Sequence, residues 1–212
     1  MQIIIKKLAP VFLEKEKIAQ SDIWNKDISF NKGEKIQLVA PSGSGKTSFV
    51  HFLYGMRKDY TGAAFLNDSE ISKMNAEQTA AMRSNQMSIV FQDLRLFTEH
   101  SAMENIAVKR VLNPFGEDSI TEMAERLGIA SKLKQHAGIC SYGERQRIAI
   151  IRALQQPFDF IVLDEPFSHL DEANSKKALA LIEEEVVKRG AGIILADLEP
   201  VSFYKADRTI HL

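Results

Sequence analysis

Between Ala40 and Thr47 the chain reads Ala-Pro-Ser-Gly-Ser-Gly-Lys-Thr, a spacing of residue types suited to gripping a phosphate chain. Gly43 and Gly45 carry no Cβ, so phosphate oxygens can come close to the backbone N–H groups of the turn. Lys46 adds a point charge for β and γ oxygens, and the Thr47 hydroxyl suits Mg²⁺. Ser42, Ser44 and Ser48 complete the candidate set. Loops of this kind open on glycine, whereas this one opens on Ala40. That position only eases the exit from a strand, and alanine suits it if φ is negative.

Asp164-Glu165 is the second chemical feature, closing the apolar run at 158–163. Two adjacent carboxylates at the tip of a buried strand need a positive charge or a proton beside them. Side chains alternate along a strand, so the two are expected to point differently. Asp164 would then hold Mg²⁺ through water, while Glu165 faces an attacking water. Gln92 ends another apolar run, 87–91, and offers a carboxamide to the same cation or its water. Cys140-Ser141-Tyr142-Gly143-Glu144 opens a helix. Ser141 with Glu144 three residues on is a capping box, which explains both residues unaided. The alternative is that this helix start, with Ser141 and the Gly143 backbone, faces an anion. Phe12, just before a polar loop, is a candidate to stack on a nucleotide base, whereas Trp24 is expected in the core.

These residues need strands that end at them and helices that begin at them. Residues 36–39 read as a buried strand ahead of the loop, and 49–53 as a helix face stopped by Gly55. Short apolar segments at 3–5, 11–13 and 28–30 read as antiparallel or edge strands, followed by the Asn31-Lys32-Gly33-Glu34 turn. A strand is expected at 60–66, a turn at Asn67-Asp68, and a helix at 75–84. From 93 to 139 the pattern turns helical (103–112, 119–127 and near Leu133), broken by Asn113-Pro114 and Gly116. An amphipathic helix at 173–189 is expected to turn Leu179, Ile182, Val186 and Val187 inward and to stop at Gly190. Strands at 191–196 and 208–212 follow.

At 212 residues with 45% hydrophobic content, the chain has enough apolar surface for one full α/β core. A formal net charge of −1 provides no general attraction to nucleic acid, so no nucleic-acid partner is expected. Cys140 is the only cysteine, which precludes an internal disulfide and fits a reducing compartment. The three isoleucines before Lys6 are too short for a signal sequence, and no run of apolar residues is long enough to span a membrane. The expectation is one soluble, cytosolic unit.

In this order and spacing, the motifs resemble those of the nucleotide-binding subunit of ATP-binding-cassette (ABC) transporters, over essentially the whole chain. Ala40 to Thr47 resembles the Walker A loop, Gln92 the Q-loop, and Cys140 to Glu144 the Leu-Ser-Gly-Gly-Gln signature. The stretch from Phe160 to Glu165 resembles Walker B with its catalytic glutamate, and Ser168-His169-Leu170-Asp171 the D-loop. The segment from Leu96-Phe97 to Met103-Glu104-Asn105-Ile106 is also similar to its counterpart in these transporters. The short length and the Tyr-Gly-Glu-Arg-Gln signature are most similar to the lipoprotein-release, macrolide-export and cell-division branch. The resemblance implies a P-loop NTPase α/β core with a mostly parallel sheet and a small antiparallel β part (1–92 and 140–212). It also implies an inserted helical subdomain at 93–139. ATP and Mg²⁺ would be the ligands, with Glu165, Lys46 and Gln92 catalytic and Thr47, Gln92 and Asp164 at the metal. Two copies, identical or not, would pair head to tail, ATP on one loop being capped by Ser141, Gly143 and Glu144 of the other. An integral membrane permease would dock near Gln92 and the helical part, holding the subunit on the cytoplasmic face of the membrane.

Three positions depart from that pattern. Ala40 and Tyr142 replace glycines, and the family's switch histidine falls at Ala196, or at Asp197 with a shift of one. Neither residue supplies a neutral imidazole. Slow or partner-dependent hydrolysis is therefore expected, with ATP binding and closure better preserved. A nucleotide-gated clamp with little turnover is the alternative. A soluble cassette of DNA repair or translation ranks third, because the chain has neither a coiled-coil insertion nor a second cassette.

Overall fold

The computed structural model describes residues 1–109 and 117–212, the side chains of 117 and 118 excepted. Two sheets organise it. The first is antiparallel, in the order β2-β1-β4-β5, from β1 (Gln2–Pro10), β2 (Asp27–Asn31), β4 (Tyr60–Leu66) and β5 (Ser69–Glu70). The second is parallel, in the order β6-β7-β8-β3-β9, from β3 (Lys35–Val39), β6 (Met87–Val90), β7 (Phe160–Asp164), β8 (Gly192–Asp197) and β9 (Arg208–His211). Helices cover both of its faces, which is why β7 reads Phe-Ile-Val-Leu without polar alternation. Phe160 and Val162 point into the cluster shared with the antiparallel sheet and α2 (Lys46–Leu53). Ile161 and Leu163 point into a second cluster, with α6 (Tyr142–Leu154) and α7 (Glu172–Arg189). The architecture is the α/β class expected above, a parallel sheet with a small antiparallel part.

The helix starts follow capping chemistry. Asn75 with Gln78, Ser101 with Glu104 and Ser141 with Glu144 form reciprocal capping boxes on α3 (Ala76–Asn85), α4 (Ala102–Ala107) and α6. Asp171 caps α7, and Gly190 ends it at φ 56°. Gly55 closes α2 at φ 69°, as its position in the sequence suggested. Between 93 and 139, α4 and α5 (Glu117–Arg126) pack on α6, and their apolar side chains join the second cluster. The expected helix at 103–112 runs over Ala102–Ala107, and the breaker residues Asn113, Pro114 and Gly116 lie outside the described residues.

Two expectations need correction. Residues 11–13 are not a strand: Pro10 is the last residue paired with β4, and Val11 and Phe12 are exposed in a turn. That turn leads into a short helix, α1 (Lys15–Gln20), for which the sequence carried no periodic signal. Val187 is 71% exposed rather than inward, because Leu179, Ile182 and Val186 already fill the buried stripe and the next residue rotates away from it. Trp24, at 1% exposure, lies in the core as expected.

The β1–β4 pairing bends between Lys6 and Ala9, where Lys7 has φ 46°. Gly62 opposes that bulge with φ 75°, and a Cβ there would come 2.2 Å from the Lys7 carbonyl oxygen. Backbone cannot give way as a side-chain tip can. Gly62→Ala is therefore expected to lower unfolding free energy by at least about 2 kcal/mol in urea titrations. An unchanged midpoint would contradict this packing.

Candidate ATP-binding site

The loop after β3 folds as its residue types require. Gly43 and Gly45 hold φ of 77° and 97°, while Ala40 lies outside the left-handed region, so the missing first glycine creates no strain. The Ala40 N–H donates to Asp197 O at 2.9 Å, tying the loop's origin to the end of β8. Lys17 of α1 reaches the Gly43 carbonyl at 3.4 Å. The Ser44 hydroxyl is buried without a hydrogen-bond partner among the described residues.

A cleft of about 450 Å³ opens over this loop. It is bordered by Phe12, Ser42, Gly43, Gly45, Lys46, Thr47, Ser48, Gln92 and Glu165, all sequence candidates, and by Leu13, Glu14, Lys17 and Leu198, which sequence reasoning missed. Phe12 stands 52% exposed at its rim, with the Arg57 guanidinium 4.9 Å from its ring centre. An adjoining cavity of about 350 Å³ shares Thr47 and Gln92 and adds Asp164, His51 and Tyr142. His51, one turn beyond Thr47, was also missed. Burial, with Arg95 and Arg57 nearby, holds its imidazole below the ordinary value.

Lys46 Nζ lies 2.5 Å from Asp164 Oδ1 and 2.7 Å from Glu165 Oε1, all three residues being almost fully buried. Burial alone would lower the ammonium pKa. The bonds to the two carboxylates reverse that and hold it above the ordinary lysine value. The expected divergence of Asp164 and Glu165 is not seen, because β7 ends at Asp164 and strand alternation ends with it. Glu165 has φ 47°, which swings its carboxylate onto the same ammonium. Such a conformation in a non-glycine residue persists only when overdetermined. Here the Glu165 N–H donates to Ala196 O (2.9 Å), and its carbonyl accepts from Gln146 Nε2 (3.0 Å) and Ser168 Oγ (3.2 Å).

Ser141, Gly143 and Glu144 do not border this cleft. Ser141 is exposed at the start of α6, and the Glu144 carboxylate is engaged by the Ser141 N–H (2.8 Å) and Lys132 (3.3 Å). Gly143 packs against the His169 carbonyl, which a Cβ would approach to 2.8 Å. Tyr142 lies along its own chain: its hydroxyl is 3.4 Å from Gln92 O and its ring centre 3.9 Å from that of His169. At the switch position, Ala196 is a core residue with 0% exposure, and Asp197, which ends β8, is half-buried and lines a separate cavity with Phe167, Ser168 and Leu170 rather than the cleft. Burial raises the Asp197 pKa, and Glu165 and Asp164 add to the rise.

A glycine-lined loop between a buried parallel strand and a helix, with lysine and hydroxyl at the helix start, defines a P-loop nucleoside-triphosphate-binding protein. The profile of the family described as ABC transporter matches residues 24–168. A lipoprotein-releasing system ATP-binding protein LolD from Legionella pneumophila (strain Lens) is 31% identical over 190 residues, 88% of this chain and 84% of that protein. The glucose import ATP-binding protein GlcV of Saccharolobus solfataricus is 30% identical, covering 98% of this chain and 59% of that one. The dimeric structure of MJ0796, a bacterial ABC transporter cassette, superposes with a TM-score of 0.85 at 20% identity, covering 99% and 94% of the two chains. The chain belongs to the ABC transporter family, as an ATP-binding and ATP-hydrolysing subunit.

Lys46→Met would leave two buried carboxylates facing each other. It should lower stability without nucleotide by about 3 kcal/mol, read from urea unfolding, and unaltered stability would contradict the triad. Asp197→Asn should act in the opposite sense. A carboxyl raised by burial loses its stabilising protonation as pH rises through the folded-state pKa, so the wild type carries the burden at neutral pH. The variant is expected to be more stable at pH 7.5. That gain should vanish as pH falls below the unfolded carboxyl value of about 4, and a pH-independent difference would rule the reading out.

Proposed function

We propose that the cleft binds Mg²⁺-ATP with the phosphates on residues 42–47 and adenine against Phe12, and that two copies close head to tail over two nucleotides. The observation that carries this is the Lys46 triad. The buried Lys46 ammonium on the cleft floor is held by both Walker B carboxylates, and a triphosphate is a ligand that can compete for it. When the γ-phosphate takes Lys46, Glu165 is released to orient the attacking water and accept its proton. Lys46 and the loop N–H groups then offset charge on the phosphoryl oxygens in flight.

The donor set fits Mg²⁺. Thr47, Gln92 and Asp164 border one cavity and present a hydroxyl, a carboxamide and a carboxylate, the hard oxygen ligands this cation prefers. Held there, the cation would supply charge neutralisation for the phosphate oxygens.

Ser141 is exposed and Gly143 half-exposed at the start of α6, and the second copy's loop is their proposed counterpart. Glu144 serves this role by holding the cap in shape rather than by touching nucleotide. The permease is proposed to dock near the Gln92 loop and the helices α4 and α5, placing the subunit on the cytoplasmic face of the membrane. Among the described residues no helix is long and apolar enough to cross a membrane. The similarity to lipoprotein-release subunits makes a permease complex of that type the proposed setting.

Asp197, at the end of β8 and within electrostatic reach of Glu165, Lys46 and Asp164, gives turnover a handicap, since a carboxylate near the phosphates repels them where an imidazole would donate to them. Glu165→Gln tests the scheme. It should cut ATP turnover by about 100-fold or more while ATP still drives dimers in size-exclusion chromatography. Wild type and variant turning over equally slowly, with dimers in both, would instead establish a nucleotide-gated clamp.

A further inference from the structure

Trp24 is the only tryptophan in the chain. Its ring packs edge-on against Phe49 (5.7 Å) and Phe52 (6.3 Å) of α2, which accounts for its burial. Those contacts make no use of the indole N–H. Nε1 donates outside the core, to the Ser44 carbonyl of the phosphate loop, at 2.9 Å. The same ring lies against Gly45, where a Cβ would stand 3.0 Å from Trp24 Cζ2.

In a trans peptide the C=O and N–H lie in one rigid plane and point in opposite directions. Holding the Ser44 oxygen toward Trp24 therefore turns the Gly45 N–H the other way. Gly45 borders the cleft beside Lys46 and Thr47, so its N–H belongs to the cradle that meets phosphate. Gly45 sits at φ 97°, and a glycine resists rotation of its neighbouring peptides less than any other residue. An outside anchor is needed to keep this donor aimed.

We propose that Trp24 is a positioning residue for nucleotide: its indole N–H fixes the Ser44–Gly45 peptide plane so that the Gly45 N–H faces the triphosphate. This rests on residues 40–47 being the triphosphate site. The effect falls on ATP and ADP alike, since both carry the phosphates that this part of the loop cradles.

A single tryptophan allows a clean chemical test. Biosynthetic replacement by benzothienylalanine keeps the ring shape but puts sulfur where the N–H was, and replacement by 7-azatryptophan keeps the donor. Affinities for ATP and ADP would be read from the anisotropy of fluorescent nucleotides, and thermal midpoints measured without nucleotide. The benzothienylalanine protein should bind both nucleotides about fivefold to tenfold more weakly, with the 7-azatryptophan protein close to wild type. Trp24→Phe, which keeps an aromatic without the donor, should shift affinity in the same direction and stands in should the sulfur analogue fail to fold. Equal affinities across these proteins, whatever their midpoints, would overturn the proposal and leave Trp24 a packing residue. Lys46→Ala separates the two levels. If it abolishes binding while the analogues do nothing, only the Trp24 assignment falls, and if it also leaves affinity unchanged, the triphosphate site itself is misplaced.

Discussion

Two carboxylates and one ammonium meet where β7 ends and α2 begins, with a third carboxylate at the end of β8 within electrostatic reach, and the placing of that positive charge governs the site. In the parallel sheet β8 lies between β3 and β7. Lys46, which follows β3 through the loop, therefore reaches past the end of β8 to meet Asp164 and Glu165. Asp197 closes β8 between them and adds a third acidic group without adding a cation. In a dry setting this arrangement is balanced only while Lys46 stays charged and in place, which is why its protonated form is favoured. In the proposed scheme a triphosphate entering the cleft would bring further negative charge, so its binding would be linked to a divalent cation and to the departure of Lys46 from at least one carboxylate.

The rest of the structure keeps that small charge system in register. Both faces of the sheet are covered, so the strand ends that carry Asp164, Asp197 and the loop's origin have little freedom. Glu165 is locked in an unfavourable backbone conformation by groups from β8, α6 and the segment after β7. Gln146 joins two motifs, donating to the Glu165 carbonyl and accepting from the His169 N–H at 3.1 Å. The segment that follows Gln92 is similarly constrained. Leu94 and Arg95 have φ of 58° and 49°, and the buried Arg152 guanidinium takes both of their carbonyls. α6, the end of β7 and the segment after Gln92 are thus parts of one hydrogen-bonded framework within the chain.

Much of this was legible in the residues alone. The phosphate loop, the buried strand ahead of it, the acidic strand tip and the capped helix at Ser141 depend on local chemistry: glycine conformations, apolar runs and side-chain caps. What could not be read depended on where the chain returns to. Glu165 converging on Lys46 instead of diverging from Asp164 follows from a strand ending one residue early. That Asp197, rather than Ala196, is the partly exposed residue at the end of β8 follows from strand register, which sends Ala196 into the core. Tyr142 on Gln92 and Trp24 on Ser44 link residues 50 and 20 positions apart, a separation no periodicity reports. The helix α1 was missed because six residues with four charged or amide side chains leave no apolar stripe to detect.

The most direct measurement is a structure of the chain with ATP and Mg²⁺ bound. The account predicts Lys46 Nζ within hydrogen-bond distance of the terminal phosphate oxygens, Glu165 freed to face the γ-phosphorus through a water, and Ser141 of a second copy across the nucleotide. Nucleotide bound in the cleft while Lys46 remains on both Asp164 and Glu165, or nucleotide bound elsewhere, would contradict it.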